Sequence, residues 1–116
     1  MRSGKPNLVV EKSIQLSLKA IDFCKKLQKN NHRIADQLFR SVTSIGANIH
    51  EAQNAESRAD FIHKLKISAK ELDESLYWIR LCRESEHLIF DQELEESLKE
   101  MNRILSKIIA TSKKNK

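Results

Sequence analysis

Two stretches of helical periodicity between Arg33 and Leu81 constrain the fold more than any other feature of the chain. Apolar residues recur at spacings of four and three in the first stretch, namely Ile34, Leu38, Val42, Ile45, Ile49 and Ala52. The same alternation continues in the second stretch with Ile62, Leu65, Ala69, Leu72, Leu76 and Ile79. This spacing puts the apolar side chains on one face of a helix, and the second run has the heptad pattern of a bundle helix. The stretch therefore predicts two helices joined by a short turn.

The rest of the chain extends this pattern to four helices. Two glycines and one proline in 116 residues are too few for a β-rich or loop-rich fold, and this length suits one domain. The predicted helices cover about 8–29, 33–54, 58–86 and 92–111, followed by a mobile basic tail at 112–116. Because the connections are short, neighbouring helices should be antiparallel. We predict a single all-α domain, an antiparallel up-down-up-down four-helix bundle that is oligomeric.

The first helix has two apolar stripes where an isolated bundle needs one. One stripe contains Val9, Leu16, Ala20, Phe23 and Leu27, and the other contains Val10, Ile14, Leu18 and Ile21. The second stripe either lies in the chain's own core or faces another subunit. Gly46 in the second helix should cost roughly 1 kcal/mol relative to Ala. Its presence beside Phe39 indicates the close approach of a neighbouring helix or subunit.

A further apolar stripe, Ile67, Trp78 and Leu81, lies on an otherwise polar face of the third helix. Trp is favoured at protein interfaces. The alternative is partial burial of Trp78 against the first helix. The candidate oligomer or partner interface therefore consists of Ile14, Leu18, Ile21, Phe39, Gly46, Ile67, Trp78 and Leu81.

Positive charge is concentrated at the start of the chain. The formal net charge is +5, yet residues 1–40 hold nine Lys and Arg against three acids. This bias favours an anionic partner such as nucleic acid, although a basic face can also be merely solvated. Because no aromatic run suited to base stacking is present, binding would rest on phosphates and depend on salt. The candidate phosphate contacts are Lys12, Lys19, Lys26, Lys29, Arg33 and Arg40.

Catalytic patterns are missing from the sequence. There is no glycine-rich phosphate loop, and only one Glu-x-x-His pattern, Glu84 to His87, at a helix end. The inward positions are aliphatic, so we expect no enzyme activity, no metal site and no cofactor.

Cys24 and Cys82 are widely spaced and indicate buried thiols in a reducing compartment. With no signal peptide or membrane span recognised, we expect a cytoplasmic protein without a membrane partner.

The central stretch resembles a known family. The pattern is Gln37-Leu38-x-Arg40-Ser41-Val42-x-Ser44-Ile45-x-x-Asn48-Ile49-x-Glu51-Ala52, continued by Phe61 to Ile67, Ser68-Ala69, Glu71-Leu72 and Glu74. It is similar to the four-helix bundle family first noted as open reading frames in intervening sequences of 23S rRNA genes. The resemblance covers nearly the whole chain. Ala52 departs from it, because the family often has Gly there, and this departure predicts a later end for the second helix.

The resemblance implies an up-down-up-down bundle that assembles into a ring-like homopentamer. Related members resemble the accessory variability proteins of diversity-generating retroelements. For those relatives it implies binding to a reverse transcriptase and to RNA or DNA through a basic surface. It supplies no settled biochemical role for the wider family.

Three functional hypotheses follow. The leading one is a non-enzymatic, oligomeric helical bundle that associates with nucleic acid, with a reverse transcriptase as a candidate partner. The alternative is a protein–protein adaptor that docks a partner on Ile67, Trp78 and Leu81 and does not bind nucleic acid. The third, a metal-dependent enzyme, has the least support because the inward face is aliphatic.

Overall fold

Four α-helices account for most of the residues that the structure, a computed structural model, describes, namely residues 7–114. They are α1 (Leu8–Asn30), α2 (His32–Ala52), α3 (Arg58–Glu84) and α4 (Gln92–Lys114). No strand occurs within residues 7–114, and the molecule measures 48 × 26 × 20 Å. The predicted all-α fold class is confirmed.

A single residue, Asn31, separates α1 from α2. Its backbone N–H donates to the carbonyl of Leu27 at 2.6 Å, and its side chain accepts from the N–H of Ile34 at 3.1 Å. Asn31 thus ends one helix and caps the next, as side chains that accept a backbone N–H do. At the start of α3, Ser57 accepts from the N–H of Asp60 at 3.0 Å. These contacts fix both hairpin turns with local side chains.

The core is formed by the apolar faces that the periodicity predicted. The largest fully buried side chains are Leu27, Leu38, Val42, Ile45, Ile49, Leu65, Leu72, Ile79, Leu94, Leu98, Met101 and Leu105. Each such side chain stabilises the fold by about 1.5–3 kcal/mol relative to exposure. All four helices contribute, so no helix of the bundle is peripheral to the core.

Serine side chains line the contact between α2 and α3. The Ser75 hydroxyl donates to the Ser41 hydroxyl at 2.8 Å, and the Ser68 hydroxyl donates to the carbonyl of Ile45 at 2.8 Å. Within residues 7–114, every buried side-chain nitrogen or oxygen has a hydrogen-bond partner. Small, satisfied side chains let the two helices approach closely without an unpaired polar group.

The helices contact one another in a closed order. Each helix contacts its neighbour in sequence and α1 also contacts α4, whereas the diagonal pairs α1–α3 and α2–α4 have no close backbone approach. Between α2 and α3, Ser41 contacts Ser75 while Glu51 contacts Lys64. Residue numbers therefore rise along one helix as they fall along the other, which supports the predicted antiparallel order.

Two helices end two residues earlier than predicted. After Ala52 the backbone N–H of Gln53 donates to the carbonyl of His50, three residues back, so the α-helical ladder stops there. The later end that the family resemblance implied for this helix is therefore wrong. Similarly, α3 ends at Glu84, because Ser85 adopts an extended conformation. The other bounds, except the end of α4, lie within one residue of the prediction.

The last helix is longer than predicted. It extends to Lys114, so residues 112–114 are helical where a tail was expected, and residues 115–116 lie outside the described part. A contact with α3 accounts for the extra turn, because the Arg58 guanidinium donates to the carbonyl of Ser112 at 3.4 Å. The start of α3 thereby satisfies one of the carbonyls that the end of α4 would otherwise leave without a partner.

Removal of Arg83 should destabilise the bundle, because Arg83 pairs with Glu95, whose side chain is only 10% exposed. We expect Arg83→Ala to lower the free energy of unfolding by about 1–3 kcal/mol, since it leaves one buried carboxylate oxygen without its donor and Lys99 lies 4.0 Å from the other. Arg80→Ala removes an exposed pair with Glu84 and serves as the control, for which no resolvable change is expected. Urea denaturation followed by circular dichroism measures both; equal effects of the two variants would contradict this assignment.

Candidate nucleic-acid interface and assembly face

An apolar surface lies exposed along α1 and α2. The exposed fractions are 48% for Ile14, 56% for Leu18 and 39% for Ile21 on α1, and 44% for Phe39 on α2. These four residues are called the α1/α2 apolar face below. The sequence left open whether the second stripe of α1 lies in the chain's own core. The structure places it on the surface.

Gly46 lies where α2 comes closest to α1. A Cβ atom at this position would lie 3.3 Å from the Ser17 hydroxyl and 3.5 Å from the Ser13 hydroxyl. The close approach that this glycine predicted is therefore made by α1 of the same chain. A cavity of about 220 Å³ opens beside it, lined by Val10, Ser13, Ile14, Ser17, Leu18, Thr43, Gly46, Ala47 and His50. The α1/α2 apolar face thus has a recess beside Ile14 and Leu18.

The predicted stripe on α3 belongs to a different surface. Ile67, Trp78 and Leu81 are half-buried, and none of them lines the cavities of the α1/α2 apolar face. Trp78 packs against the core, and its indole N–H donates to Glu74 at 2.9 Å. Trp78 is thus partly buried, as the alternative expected, although α3 and α1 have no close backbone approach. The stripe that the adaptor hypothesis needs is partly covered.

Two of the six candidate phosphate contacts lie between α1 and α4. The Lys12 ammonium pairs with Glu100 at 3.2 Å. The Lys19 ammonium donates to the Ser97 hydroxyl at 2.9 Å and lies 4.0 Å from Glu93. Both lysines are therefore engaged by α4 and join the two helices.

A third candidate, Arg40, is held by α3. Its guanidinium pairs with Glu71 at 3.2 Å and also with Glu74, which accepts the indole N–H of Trp78. This network ties α2 to α3 on the outside of the bundle. Arg40 therefore has two carboxylates close by, and its charge is largely compensated within the chain.

The other three candidates, Lys26, Lys29 and Arg33, lie together at the α1–α2 turn. All three are exposed, and none takes part in an ion pair between described residues. The first turn of α2 contains no acid, so the positive end of its dipole adds to the charge of Arg33, whereas Lys29 lies in the last turn of α1, at the negative end of that dipole. The structure thus divides the six predicted residues into three compensated cations and three uncompensated ones.

Lys25 is a fourth cation at this turn that the sequence prediction missed. It is exposed and lines a cavity of about 230 Å³ together with Ile21, Phe39 and the acid Asp36, with which it makes no ion pair. Its position four residues before Lys29 places both on one helical face, and this spacing is the signal that could have found it. Lys25, Lys26, Lys29 and Arg33 are called the cationic turn below. Through Lys25, the cationic turn adjoins the α1/α2 apolar face.

Cys24 and Cys82 are free, buried thiols of low reactivity. Burial raises the pKa of the Cys24 thiol to about 12, with smaller contributions from Cys82 and Asp36, and burial raises the pKa of Cys82 to about 11. No Cα atom of α1 lies within 8 Å of one in α3, so the two residues are too far apart for a disulfide. Neither cysteine is suited to act as a nucleophile.

The described part of the chain contains neither a cluster of metal ligands nor a membrane-spanning helix. Between residues 7 and 114, no group of three or more His, Cys, Asp or Glu side chains is placed to hold a metal ion. None of the four helices described above combines the length and hydropathy that a membrane-spanning helix requires. The distinguishing features of this surface are therefore the cationic turn and the α1/α2 apolar face.

The fold and these surfaces define a small helical-bundle protein whose distinctive residues lie on the outside. The family model described as 23S rRNA-intervening sequence protein matches residues 5–110, and the chain belongs to this family. The resemblance predicted from the central stretch is thereby confirmed at the level of the family.

A solved structure supports the same assignment. It is a protein with unknown function from the S23 ribosomal protein family of Bacteroides thetaiotaomicron VPI-5482, determined at 1.70 Å resolution. It is 37% identical in sequence, matches 87% of this chain and 97% of its own length, and superimposes with a TM-score of 0.78. No curated protein matches this chain.

Alkylation should distinguish buried thiols from reactive ones. Because burial raises the pKa of both cysteines, almost no thiolate is present at pH 8, and thiolate forms only near pH 11 and above. We expect iodoacetamide at pH 8 to leave Cys24 and Cys82 unmodified in the folded protein and to modify both in denaturant, as measured by intact mass. Thr111→Cys, at an exposed position, is the reactive control. Rapid labelling of either native cysteine would contradict the burial described here.

Proposed function

We propose that this protein is a non-enzymatic helical bundle that assembles through its α1/α2 apolar face and binds the phosphate backbone of RNA or DNA through its cationic turn. The observation that carries the proposal is the cationic turn itself, where four cations have no carboxylate partner among the described residues. The family description names a ribosomal RNA context and no reaction.

Phosphate is the group that the cationic turn suits best. Lys side chains offer point charges to phosphate oxygens, and Arg33 offers a planar fork of donors. The nearby aromatic ring, Phe39, lies in the α1/α2 apolar face and not among the cations. Base stacking is therefore not part of the proposed contact, and binding should be insensitive to sequence and strongly dependent on salt.

Self-association is supported by the apolar face. Four large apolar side chains lie exposed side by side, and such contiguous surfaces mark interaction sites. Because the cationic turn adjoins this face, each added subunit would bring another set of cations to the same polymer. Linked sites bind a polyanion more tightly than one site does. A homopentamer and a reverse transcriptase as partner remain predictions from the family resemblance.

Substitution of the cationic turn should weaken nucleic-acid binding. For Lys26→Gln, Lys29→Gln and Arg33→Gln combined, we expect the slope of log K against log salt to decrease in magnitude by about 2, since each lost phosphate contact removes about 0.7 on single strands. Fluorescence anisotropy with a labelled RNA and a labelled DNA of the same length, at several salt concentrations, measures this slope.

A charge-matched variant provides the control. Lys12→Gln, Lys19→Gln and Arg40→Gln remove the same charge from residues that are paired within the chain, so the slope should change little. Circular dichroism checks that both variants keep their helicity. Absence of binding by the wild type at low salt, or equal losses in the two variants, would overturn the assignment to the cationic turn.

Self-association should depend on Leu18. Leu18→Glu places a carboxylate in the α1/α2 apolar face, so we expect light scattering to give a mass near 13.4 kDa for this variant and a multiple of it for the wild type. Because Leu18 and Tyr77 are both 56% exposed, Tyr77→Glu on α3 is a matched control that should keep the multimer. A monomeric wild type, or dissociation by Tyr77→Glu alone, would refute the proposed face.

A further inference from the structure

A second cationic site lies between the start of α3 and the end of α4. A cavity of about 380 Å³ is lined there by Arg58, Ala59, Ile62, Ser112 and Lys113. Its floor is aliphatic and its rim carries positive charge. The Arg58 guanidinium donates to the Ser112 carbonyl at 3.4 Å, which holds it beside the cavity. Residues from two helices, more than 50 positions apart in sequence, thus form one site.

Two lysines are forced together at this site. The pKa of Lys113 is lowered because one of the two amines must be neutral to accept a hydrogen bond from the other, and because two ammonium charges repel each other. Arg58 and Lys113 line the cavity, and Lys66, two turns after Arg58 on α3, lies beside Lys113. Such a concentration of like charge is unfavourable unless an anion compensates it.

The chain supplies no such anion within its described part. Lys64 pairs with Glu51 at 3.1 Å, whereas no ion pair between residues 7 and 114 includes Arg58, Lys66 or Lys113. The acid at the start of α3, Asp60, accepts the backbone N–H of Glu56 at 3.2 Å and so serves the turn. The three cations are exposed and therefore available to an external anion.

We propose that this cavity is a second phosphate site, in which Arg58, Lys66 and Lys113 hold one phosphate group of a nucleic-acid backbone over the aliphatic floor. An arginine fork and two ammonium groups are the donors that a phosphate oxyanion prefers. Ala59 and Ile62 offer a surface for the sugar, and no aromatic side chain lines the cavity for a base. The site extends the proposed function to the end of the bundle opposite the cationic turn, since α2 runs between the two ends.

Lysine footprinting tests the site directly. The lowered pKa of Lys113 leaves more of its amine unprotonated, so it should acylate readily in the unliganded protein. We expect a single-stranded 20-nucleotide DNA to protect Lys66 and Lys113 from acetic anhydride, with exposed Lys70 and Lys107 on the same helices as controls, as read by peptide mass spectrometry. Equal labelling of all four lysines with and without DNA would overturn the proposal.

The oxyanion could come from a nucleic-acid backbone or from free phosphate. A parallel experiment with inorganic phosphate distinguishes these two sources. Protection of Lys66 and Lys113 by the DNA, at concentrations where inorganic phosphate has no effect, supports a backbone site. Protection by inorganic phosphate alone would overturn it in favour of a small-anion site.

The cavity proposal rests on the proposed function for the identity of its ligand, a nucleic-acid backbone. Affinity measurements test the two separately. We expect Lys66→Gln with Lys113→Gln to reduce the salt slope for single-stranded DNA by about 1.4, at about 0.7 for each contact. The charge-matched pair Lys70→Gln with Lys107→Gln should change it less. If only substitutions at the cationic turn reduce the slope, the cavity assignment fails; if only the cavity variant does, the cationic turn fails and the cavity stands.

Discussion

The packing of α2 between α1 and α3 is the constraint on which the rest of the structure depends. Its apolar residues Leu38, Val42, Ile45 and Ile49 are completely buried. On one side Gly46 lets the serines of α1 approach closely, and on the other the Ser41–Ser75 hydrogen bond joins α2 to α3. Val10 of the other stripe is partly buried against the core, whereas its members Ile14, Leu18 and Ile21 are left exposed among residues 7–114. The exposed apolar face is thus a consequence of how α2 is packed.

The sequence determined the core because burial follows local periodicity. The spacings of three and four assign each helix its inner face, and residues such as Leu65 and Leu98 lie where that spacing puts them. Helix ends were less predictable, since the N–H of Gln53 donates to the carbonyl of His50 and the carbonyl of Ser112 accepts from the Arg58 side chain, 54 residues away in sequence. Such contacts change an end by two or three residues without changing the periodic pattern.

The candidate site was only half predictable, because charge compensation is a long-range property. Lys12 pairs with Glu100, 88 residues away, and Arg40 pairs with Glu71, 31 residues away. A helical wheel drawn for one helix cannot show either pair. Once these pairs are set aside, unpaired cations cluster at the cationic turn and beside the cavity between α3 and α4, while Lys70, Arg103 and Lys107 are unpaired elsewhere in residues 7–114. The assignment of the chain to the 23S rRNA-intervening sequence family agrees with the helical core. The cationic turn and the cavity between α3 and α4 could be identified only from the structure.

Hydrogen–deuterium exchange in the presence of RNA tests the central claim most directly, namely that function resides in uncompensated surface charge on an inert core. The account predicts that RNA at low salt slows exchange at residues 25–33 and at both ends of the cavity between α3 and α4. It also predicts that exchange is unchanged along the paired α1–α4 contact of Lys12 and Glu100. Protection confined to that paired contact, or no protection anywhere at low salt, would contradict the account.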